Sequence, residues 1–415
     1  MAILFKSLRL IDAETIHPPK DYMYDGEQIQ VLNPKIDKEF DEEFDCADLL
    51  ASKGWIDLRC MCGEPGLEFK ESIESLGAVL QESGFCKGVL MPNTEPSIQS
   101  KNEVQFLKNR SQNLFSDFLI QGAATKNNEG EDFTEILDLH NEGVTIFGDG
   151  IKPLSNPDRL LKVLQYLQKF DGTLFDQSYD PLIALFGHVH EGTTSTIIGV
   201  KGIPSLSEEL AVRRNVEILR YTGGRMHFQT ISTKGAVDII REAKKDGLNV
   251  TADISIFQLM FSDEDLIDFD TNLKVMPPFR SKSDREALIG GLKDGTIDAI
   301  VSNHQPQDKD SKHMEFDLAS FGMIGLQTFL PAMVKLSLEL TWPLLIQKIT
   351  SGPERVLRSK ETKFNTLTVF DPELDWDYNL SSNKSNSSNS PWFDQKLTGK
   401  VKYVVNGAKF VKIHE

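Results

Sequence analysis

From about residue 55 to residue 355 the sequence alternates between short apolar runs and longer amphipathic stretches, and this alternation constrains the fold most strongly. The apolar runs have the length of strands and lie at Trp55–Arg59, Gly88–Met91, Phe118–Gly122, Val144–Phe147, Thr173–Phe175, His227–Ile231, Val250–Ile254 and Ala299–Ser302. Helix-periodic stretches between them include Lys70–Glu82, Asp158–Phe170, Ser207–Leu219 and Lys234–Lys245. Strands that alternate with helices in this number predict an α/β protein with a closed (β/α)8 TIM barrel. An open doubly wound sheet would need a glycine-rich phosphate loop after its first strand, and the sequence has none there.

The two ends of the chain show a different pattern, in which short apolar runs alternate with turn residues. These runs are Ile3–Phe5, Leu8–Ile11 and Ile29–Leu32 near the N-terminus, and Leu367–Phe370, Val401–Val405 and Phe410–Ile413 near the C-terminus. We expect residues 1–52 and 362–415 to form one small β-sandwich domain beside a barrel of residues 53–361. The polar run Ser381–Ser390 between the C-terminal strands predicts a solvated loop.

The composition excludes several classes of partner and location. A net charge of −17 argues against nucleic acid or an anionic membrane as a partner, because both repel an acidic surface. No apolar run reaches the length of about 18 residues that a membrane span needs. The N-terminal segment MAILFKSLRLID becomes polar too early for a signal peptide. The four cysteines, at 46, 60, 62 and 86, are too few for a disulfide framework, so we expect a reduced, cytoplasmic protein.

The stretch Gly54–Gly66, GWIDLRCMCGEPG, combines a buried-strand pattern with a polar turn. A strand that ends in a Pro-Gly turn is where a barrel presents its functional side chains. This frame resembles the first barrel strand of the dihydroorotases, a family of the amidohydrolase superfamily, in which three alternate positions carry His, His and Arg. The same three positions here are Arg59, Met61 and Gly63.

Further motifs of that family occur in the same order along the chain. They are MPNTEP at Met91–Pro96, GIPS at Gly202–Ser205 followed by Glu208 and Arg213, KVMPPFR at Lys274–Arg280, DGTID at Asp294–Asp298, SNHQPQ at Ser302–Gln307 and GMIGLQT at Gly322–Thr328. The resemblance therefore spans nearly the whole chain. It implies a barrel of the metal-dependent hydrolase type with a small β domain.

The resemblance implies that active members of the family bind zinc through side chains at the ends of several barrel strands. These are the paired His of strand one, an Asp after strand four, His residues after strands five and six, and an Asp after strand eight. Metal-bound hydroxide attacks a ring carbonyl of dihydroorotate, and the strand-eight Asp transfers the proton. The matching positions here carry Arg59, Met61, Gln177, Thr230 and Asn303.

Several further positions bear on the site. Asp149 follows strand four in a segment one residue shorter than the family pattern, so its match to the ligand Asp stays open. Among the substrate-binding groups that the resemblance implies, Asn93 is retained, whereas Gly63, Met276 and Gln307 replace the others.

The substituted positions predict a pocket that does not bind zinc and needs no other cofactor. Zinc takes imidazole, thiolate or carboxylate ligands, and a guanidinium has no free lone pair. An amide such as that of Asn303 cannot act as a general base. A buried guanidinium at Arg59 could replace the missing cation, and we expect it to pair with Asp149, Asp180 or Glu64.

Other candidate groups have simpler interpretations. Strand alternation turns Cys60 and Cys62 away from the pocket, which favours buried packing over a thiolate site. His188 and His190 form an H-x-H in a loop, where a surface or capping role is favoured over metal binding. His227 is expected to hydrogen-bond inside the barrel.

Two features keep a functional interpretation open. His304 is the best remaining polar group near the former centre, although it lacks its Asp neighbour. The acidic run Asp37–Asp45 predicts a solvated face or turn, with contact to a basic partner as the alternative.

The resemblance and the substitutions together favour a catalytically degenerate dihydroorotase-like protein of pyrimidine biosynthesis. Inactive members of this family act as structural partners of aspartate carbamoyltransferase, and the resemblance also implies a homodimer. The alternative is an active amidohydrolase that interconverts carbamoyl aspartate and dihydroorotate with Asn93, Asp149 and His304. A ligand sensor that uses the emptied pocket is a third hypothesis.

Overall fold

The computed structural model describes residues 2–32, 39–359 and 363–413. The strands are Ile3–Leu10 (β1), Lys20–Tyr24 (β2), Ile29–Val31 (β3), Glu42–Asp45 (β4), Leu50–Ser52 (β5), Trp55–Cys60 (β6), Phe85–Leu90 (β7), Asp117–Gly122 (β8), Ile146–Phe147 (β9), Thr173–Asp176 (β10), Val189–His190 (β11), Gly202–Ile203 (β12), Met226–Phe228 (β13), Val250–Ser255 (β14), Ala299–Val301 (β15), Thr366–Tyr378 (β16), Gln395–Asn406 (β17) and Lys409–Lys412 (β18).

The helices follow the strands in the order that a barrel requires. The α-helices are Ile73–Glu82 (α1), Lys101–Ser111 (α2), Ile136–Asn141 (α3), Pro157–Leu167 (α4), Thr193–Ile198 (α5), Ser205–Thr222 (α6), Lys234–Lys245 (α7), Lys282–Lys293 (α8), Lys309–Lys312 (α9), Phe329–Leu336 (α10), Trp342–Ile349 (α11) and Ser351–Leu357 (α12). Short 3-10 turns span Lys126–Asn128, Gln168–Phe170, Ile256–Leu259, Asp263–Leu266 and Thr271–Leu273. Each predicted helix overlaps an observed one, and α7 has the predicted bounds.

Eight parallel strands form the predicted barrel, in the order β6-β7-β8-β9-β10-β13-β14-β15. The first and last strands meet through a parallel bridge between Cys60 and His304, where Met61 N donates to His304 O at 3.0 Å. The buried carboxylate of Asp57 strengthens this seam by accepting from the Ser302 backbone at 3.0 Å and from its hydroxyl at 2.5 Å. The (β/α)8 prediction is confirmed.

The first strand changes the direction of its side chains partway along its length. Ile56 and Leu58 share an apolar cluster with residues of β7, β9, β10 and β15. The register of β6 against β7 then shifts between Asp57 and Cys60. Because such an irregularity redirects the following side chain, Arg59 also points across the barrel.

The chain ends form a second sheet, in the order β18-β17-β16-β5-β1-β2-β3, with β4 paired to β1. This sheet is folded onto itself, because strands far apart in its order share one core. Tyr24 on β2 donates its hydroxyl to Gly407 O at 2.9 Å, and the Phe5 and Tyr403 rings lie 5.9 Å apart. The β domain built from both termini is therefore present, while the bounds at residues 52 and 362 stay predictions.

The connection between β16 and β17 differs from the solvated loop that the sequence predicts. Ser387, Asn389 and Ser390 are buried in it. Asn389 donates to Gln305 O and to Gly322 O, both at 3.1 Å. Polar side chains can hydrogen-bond to buried backbone groups as well as to water. The segment therefore packs on the barrel instead of extending into solvent.

The acidic run Asp37–Asp45 begins outside the described residues, and its last four residues form β4. Glu42, Glu43 and Asp45 are exposed, as predicted, whereas the Phe44 ring stacks on Tyr403 at 4.4 Å. Among the residues that the structure describes, no helix is long and apolar enough to cross a membrane.

Candidate functional site

The C-terminal ends of the barrel strands and the loops that follow them, here called the barrel mouth, gather most of the residues singled out by sequence. Arg59 is fully buried there. Its Nε donates to Asn303 Oδ1 at 2.9 Å, and its Nη2 donates to Gln177 Oε1 at 2.5 Å. Gln177 follows the fifth barrel strand and Asn303 the eighth, so the guanidinium lies across the centre of the barrel.

Burial dominates the electrostatics of this centre. It lowers the pKa of Arg59 to about 10, although the charges of Asp253, Asp57 and Asp176 oppose the shift. Burial also raises the pKa of Asp57 to about 7 and the pKa of Asp176 above its ordinary range. Arg59 stays protonated at neutral pH, while Asp57 is only partly ionised.

Thr230 and Asn303 both adopt left-handed backbone angles, with φ of 48° and 47°. Asn tolerates this region, whereas a β-branched Thr is rare in it. Thr230 N donates to Asp253 Oδ1 at 2.6 Å, which holds the strained residue in place. Strained positions cluster at functional sites, and these two lie at predicted site positions.

The predicted ion pair of Arg59 with Asp149, Asp180 or Glu64 is wrong. The acceptors of Arg59 are two neutral amide oxygens. Asp180 accepts from Leu182 N and Ile183 N, and Glu64 accepts from Arg110 Nε at 3.0 Å and from Ile73 N. Each candidate carboxylate accepts from other groups, Asp180 from its own loop, Glu64 from Arg110 and Asp149 from Ala124 and Thr125, and one-dimensional spacing does not reveal these partners.

Asp149 and Asn93 form a separate buried cluster. Asp149 accepts from Ala124 N, Thr125 N and the Thr125 hydroxyl at 3.0, 2.9 and 2.5 Å. Burial raises its pKa to about 6. Asn93 Nδ2 donates to Asp149 O at 3.1 Å, and its Oδ1 accepts from Ile151 N at 3.0 Å. Both ends of the Asn93 amide are therefore used to hold the loop after β9.

His304 belongs to a network that sequence reasoning missed. Gly325 N donates to its Nδ1 at 3.2 Å, so Nε2 carries the proton and donates to Glu71 Oε2, also at 3.2 Å. Glu71 is fully buried and also accepts from the hydroxyl of Ser385 and, at 3.2 Å, from Asn386 N. No motif marks Glu71, because its partners lie on segments far away in the sequence.

The first-strand positions after Arg59 carry no polar function. Met61 is buried beside the seam with β15. At Gly63 an added Cβ would lie 2.0 Å from Leu67 O, because the following turn folds back against this residue. No side chain fits there without moving the turn.

The remaining candidates take the structural roles predicted for them, with one exception. Cys60 and Cys62 are buried in the apolar cluster that includes α1, and burial raises the pKa of both thiols. His227 bonds Thr251 Oγ1 and Asp253 Oδ2, each at 2.8 Å. His188 is half-buried in its loop, but His190 is buried and accepts from Arg280 Nη1 at 3.3 Å, so it is not a surface group.

The donor set at the barrel mouth does not fit zinc. Within the described ranges, no group of three or more His, Cys, Asp or Glu side chains is arranged to hold a metal ion. The central position is a guanidinium whose hydrogen-bond donors point at the amide oxygens of Gln177 and Asn303. A divalent cation beside it would be repelled, and the two amide oxygens are already engaged.

Known proteins resemble this chain along its whole length. The family described as "Dihydro-orotase-like" matches residues 49–236. The "Dihydroorotase" of Acetivibrio thermocellus is 35% identical over 373 residues, with 88% of each chain covered. The "Dihydroorotase" of Geobacter sp. (strain M21) is 34% identical over 416 residues, with 98% of each chain covered.

Solved structures share the fold at lower identity. An L-hydantoinase (dihydropyrimidinase) from Arthrobacter aurescens superposes with a TM-score of 0.86 at 19% identity, covering 99% of this chain and 96% of its own. A dihydropyrimidinase from Brevibacillus agri NCHU1002 gives 0.84 at 15% identity, covering 99% and 95%. At these identities the likeness establishes the architecture alone.

Proposed function

The chain belongs to the dihydroorotase-like family of the amidohydrolase superfamily, and from this premise we propose that it is a catalytically inactive member. It serves pyrimidine biosynthesis as a structural partner of aspartate carbamoyltransferase. We further propose that it acts in the cytoplasm as a homodimer.

The observation that supports inactivity is the guanidinium of Arg59 at the centre of the barrel mouth. Hydrolysis of a cyclic amide needs a nucleophilic water, a group that activates it and a group that moves its proton. Arg59 stays protonated and accepts no proton, and its two partners, Gln177 and Asn303, are neutral amides. A catalytic metal ion has open positions for a water or substrate ligand. The guanidinium of Arg59 has none, and its hydrogen bonds to Gln177 and Asn303 fix its position.

The three groups on which an alternative active site would depend point to different partners. Asp149 faces the backbone of Ala124 and Thr125, and Asn93 spans the backbone around Gly150. His304 is held between Gly325 and Glu71. No shared position for a reacting water follows from these contacts, which weighs against residual dihydroorotase chemistry.

The proposed partner role is supported by the parts of the family fold that this chain retains. The eight-stranded barrel, its seam and the folded β domain are present in the described residues. Buried Glu71 connects them, because it accepts from His304 of the barrel and from Ser385 between β16 and β17. A chain under no structural constraint would have lost such packing, so a role that depends on shape is favoured over the absence of any role.

Activity is tested on the purified full chain. Turnover of dihydroorotate and of carbamoyl aspartate is measured with and without added zinc, together with metal content by mass spectrometry. We expect no turnover and no stoichiometric zinc under either condition. Zinc-dependent turnover that is lost in an Asn303→Leu variant would establish an active site at this position and overturn the proposal.

The partner role is tested separately with aspartate carbamoyltransferase from the same organism. Size-exclusion chromatography with light scattering gives the mass of each protein alone and of the mixture. We expect a dimer for this chain alone and a co-eluting complex of defined stoichiometry in the mixture. Independent elution at concentrations well above micromolar would refute the partnership without affecting the question of activity.

A further inference from the structure

An exposed apolar surface lies where the loop after β10 meets the start of α6. Leu182, Leu185 and Phe186 of that loop are 79%, 46% and 72% exposed. Leu206 and Leu210 on α6 are 51% and 45% exposed. These five residues are here called the apolar patch. Single exposed apolar side chains are ordinary on a protein, whereas a contiguous group of them marks an interaction surface.

Hydrogen bonds hold the two parts of the apolar patch together. Asp180 N donates to Ser207 O, and the Ser207 hydroxyl donates to Asp180 O, both at 2.9 Å. At the other end of the loop, His188 N donates to Lys201 O at 2.9 Å, and Lys201 Nζ lies 5.6 Å from the centre of the Phe186 ring. The loop is thus fixed at both ends to the segment that leads into α6, so the apolar side chains of loop and helix form one surface.

The exposed face of α6 differs from that of its neighbour α7. Both helices pack apolar side chains against the barrel with their other face. The exposed positions of α7 carry only charged residues, which are Lys234, Asp238, Glu242 and Lys245. The exposed face of α6 begins with Leu206 and Leu210 and becomes charged only from Arg213 onward. Charged residues such as Lys and Glu would form the helix as well as leucine does and would keep the surface solvated, so the two leucines indicate a covered surface.

The size of the apolar patch suits one side of a stable interface. Its five side chains expose on the order of 500 Å². A standard protein–protein interface takes about 800 Å² from each partner, and somewhat more than half of that area is apolar. The patch therefore supplies the apolar part of such an interface, and the charged groups around it supply the polar rim.

The charges around the apolar patch favour a second copy of the chain as the partner. Lys201 and Arg213 are exposed at its border, and Glu217 is exposed one helical turn beyond Arg213. Within the described ranges, Arg213 forms no ion pair. Most of the surface of a chain with a net charge of −17 repels another copy, whereas this surface combines apolar side chains with groups of both signs. A two-fold axis would bring the basic groups of each copy against acidic groups of the other.

We propose that the apolar patch is the interface through which two copies of this chain form a homodimer, with Leu206 and Leu210 of each copy close to the two-fold axis. This inference rests on the homodimer of the proposed function and assigns its surface.

Size-exclusion chromatography with light scattering on the full chain tests the interface. Leu210→Glu places like charges in the middle of both faces, and we expect it to raise the dissociation constant of the dimer at least about a hundredfold. Leu338→Glu is the matched control, because Leu338 is 93% exposed between α10 and α11, outside the apolar patch. It should leave the dimer intact. Circular dichroism establishes that both variants are folded.

A second measurement keeps the dimer intact. The four native cysteines are buried, so a cysteine added at the surface provides the accessible thiol. A short bismaleimide should link two copies of Leu206→Cys, because the axis places this position of both copies close together. It should not link two copies of Leu338→Cys.

The outcomes separate this inference from the proposed function. A monomeric wild-type chain would refute both the homodimer and its assigned surface. A wild-type dimer that Leu210→Glu leaves intact, without a cross-link through Leu206→Cys, would retain the homodimer and overturn this surface. If Leu210→Glu stays dimeric but no longer binds aspartate carbamoyltransferase, the apolar patch belongs to that partner instead, and the proposal is overturned.

Discussion

Arg59 Nε lies 2.9 Å from Asn303 Oδ1, so a guanidinium–amide hydrogen bond joins the ends of the first and eighth barrel strands. A second donor of the same guanidinium, Nη2, reaches Gln177 Oε1 after the fifth strand at 2.5 Å. One side chain thus connects three strand ends that surround the barrel axis. In this chain a fixed organic cation holds the centre of the mouth together.

Replacing Arg59 with Met should destabilise the protein. The change leaves the amide oxygen of Gln177 buried without a donor, at about 1–3 kcal/mol, and removes one of the two donors to Asn303 Oδ1, which keeps Gln305 Nε2 at 2.8 Å. Removal of a desolvated charge offsets part of that cost. We expect a net loss of about 2 kcal/mol in the free energy of unfolding, measured by urea denaturation. Lys162→Met, at an exposed pair with Asp158, should change it by less than about 0.5 kcal/mol. An unchanged or more stable Arg59→Met protein would show that the guanidinium contributes no stability.

Asp57 should make stability fall as the pH rises. Burial raises its pKa in the folded state from 3.8 to about 7, so between these values the folded protein binds more protons than the unfolded chain. The stabilisation is fully present below pH 4 and is lost as the pH rises through about 7, and it amounts to about 4 kcal/mol.

The neutral variant Asp57→Asn removes this contribution. The difference in unfolding free energy between wild type and variant should therefore decrease steadily from pH 4.5 to pH 7.5 in denaturant titrations. Asp158→Asn is the control, because Asp158 is exposed, its pKa is lowered, and it is already ionised across this range. A pH-independent difference for Asp57→Asn would mean that Asp57 is ionised throughout.

Gly63→Ala should be costly although the change adds one methyl group. The new Cβ would lie 2.0 Å from Leu67 O, and the turn that carries this carbonyl would have to move. We expect a loss of about 2–3 kcal/mol. Gly290→Ala on α8 meets nothing within 4 Å and should instead stabilise by up to about 1 kcal/mol through helix propensity. Equal effects of the two substitutions in thermal denaturation would contradict this geometry.

Glu71→Ala should release the loop between β16 and β17. It removes the acceptor for Ser385 and Asn386 and leaves His304 Nε2 without its partner. We expect trypsin to cut after the exposed Lys384 roughly tenfold faster or more in the folded protein, because the local opening free energy falls. Glu74→Ala, at an exposed pair with Arg110, is the control and should leave the rate unchanged. Equal cleavage rates in both variants would mean that other contacts hold the loop.

Local patterns were sufficient to predict the architecture. The apolar runs between Trp55 and Ser302 overlap the eight barrel strands, and the runs at both chain ends belong to the folded β sheet. Hydrophobic periodicity acts over a few residues, so it can be read without a structure. The same reasoning placed Arg59 towards the pocket and Cys60 and Cys62 in the packed layer.

Partnerships between distant side chains required the three-dimensional fold. Arg59 and Asn303 are 244 positions apart, and Glu71 and Ser385 are 314 apart. The predicted pairing of Arg59 with Asp149, Asp180 or Glu64 failed because these carboxylates accept from backbone amides and, for Glu64 and Asp149, also from the side chains of Arg110 and Thr125. The polar run Ser381–Ser390 was expected in solvent, yet it covers part of the mouth.

The order of residues alone determines that a barrel forms and which side chains reach its mouth, because strand and helix periods depend on near neighbours. Which of those side chains bond to each other, and which are left without a partner around Arg59, depends on closure of the barrel. Closure brings strand one against strand eight at the Cys60–His304 bridge. Only then do donors and acceptors from separate segments compete for the same few positions, and burial makes the outcome of that competition energetically decisive.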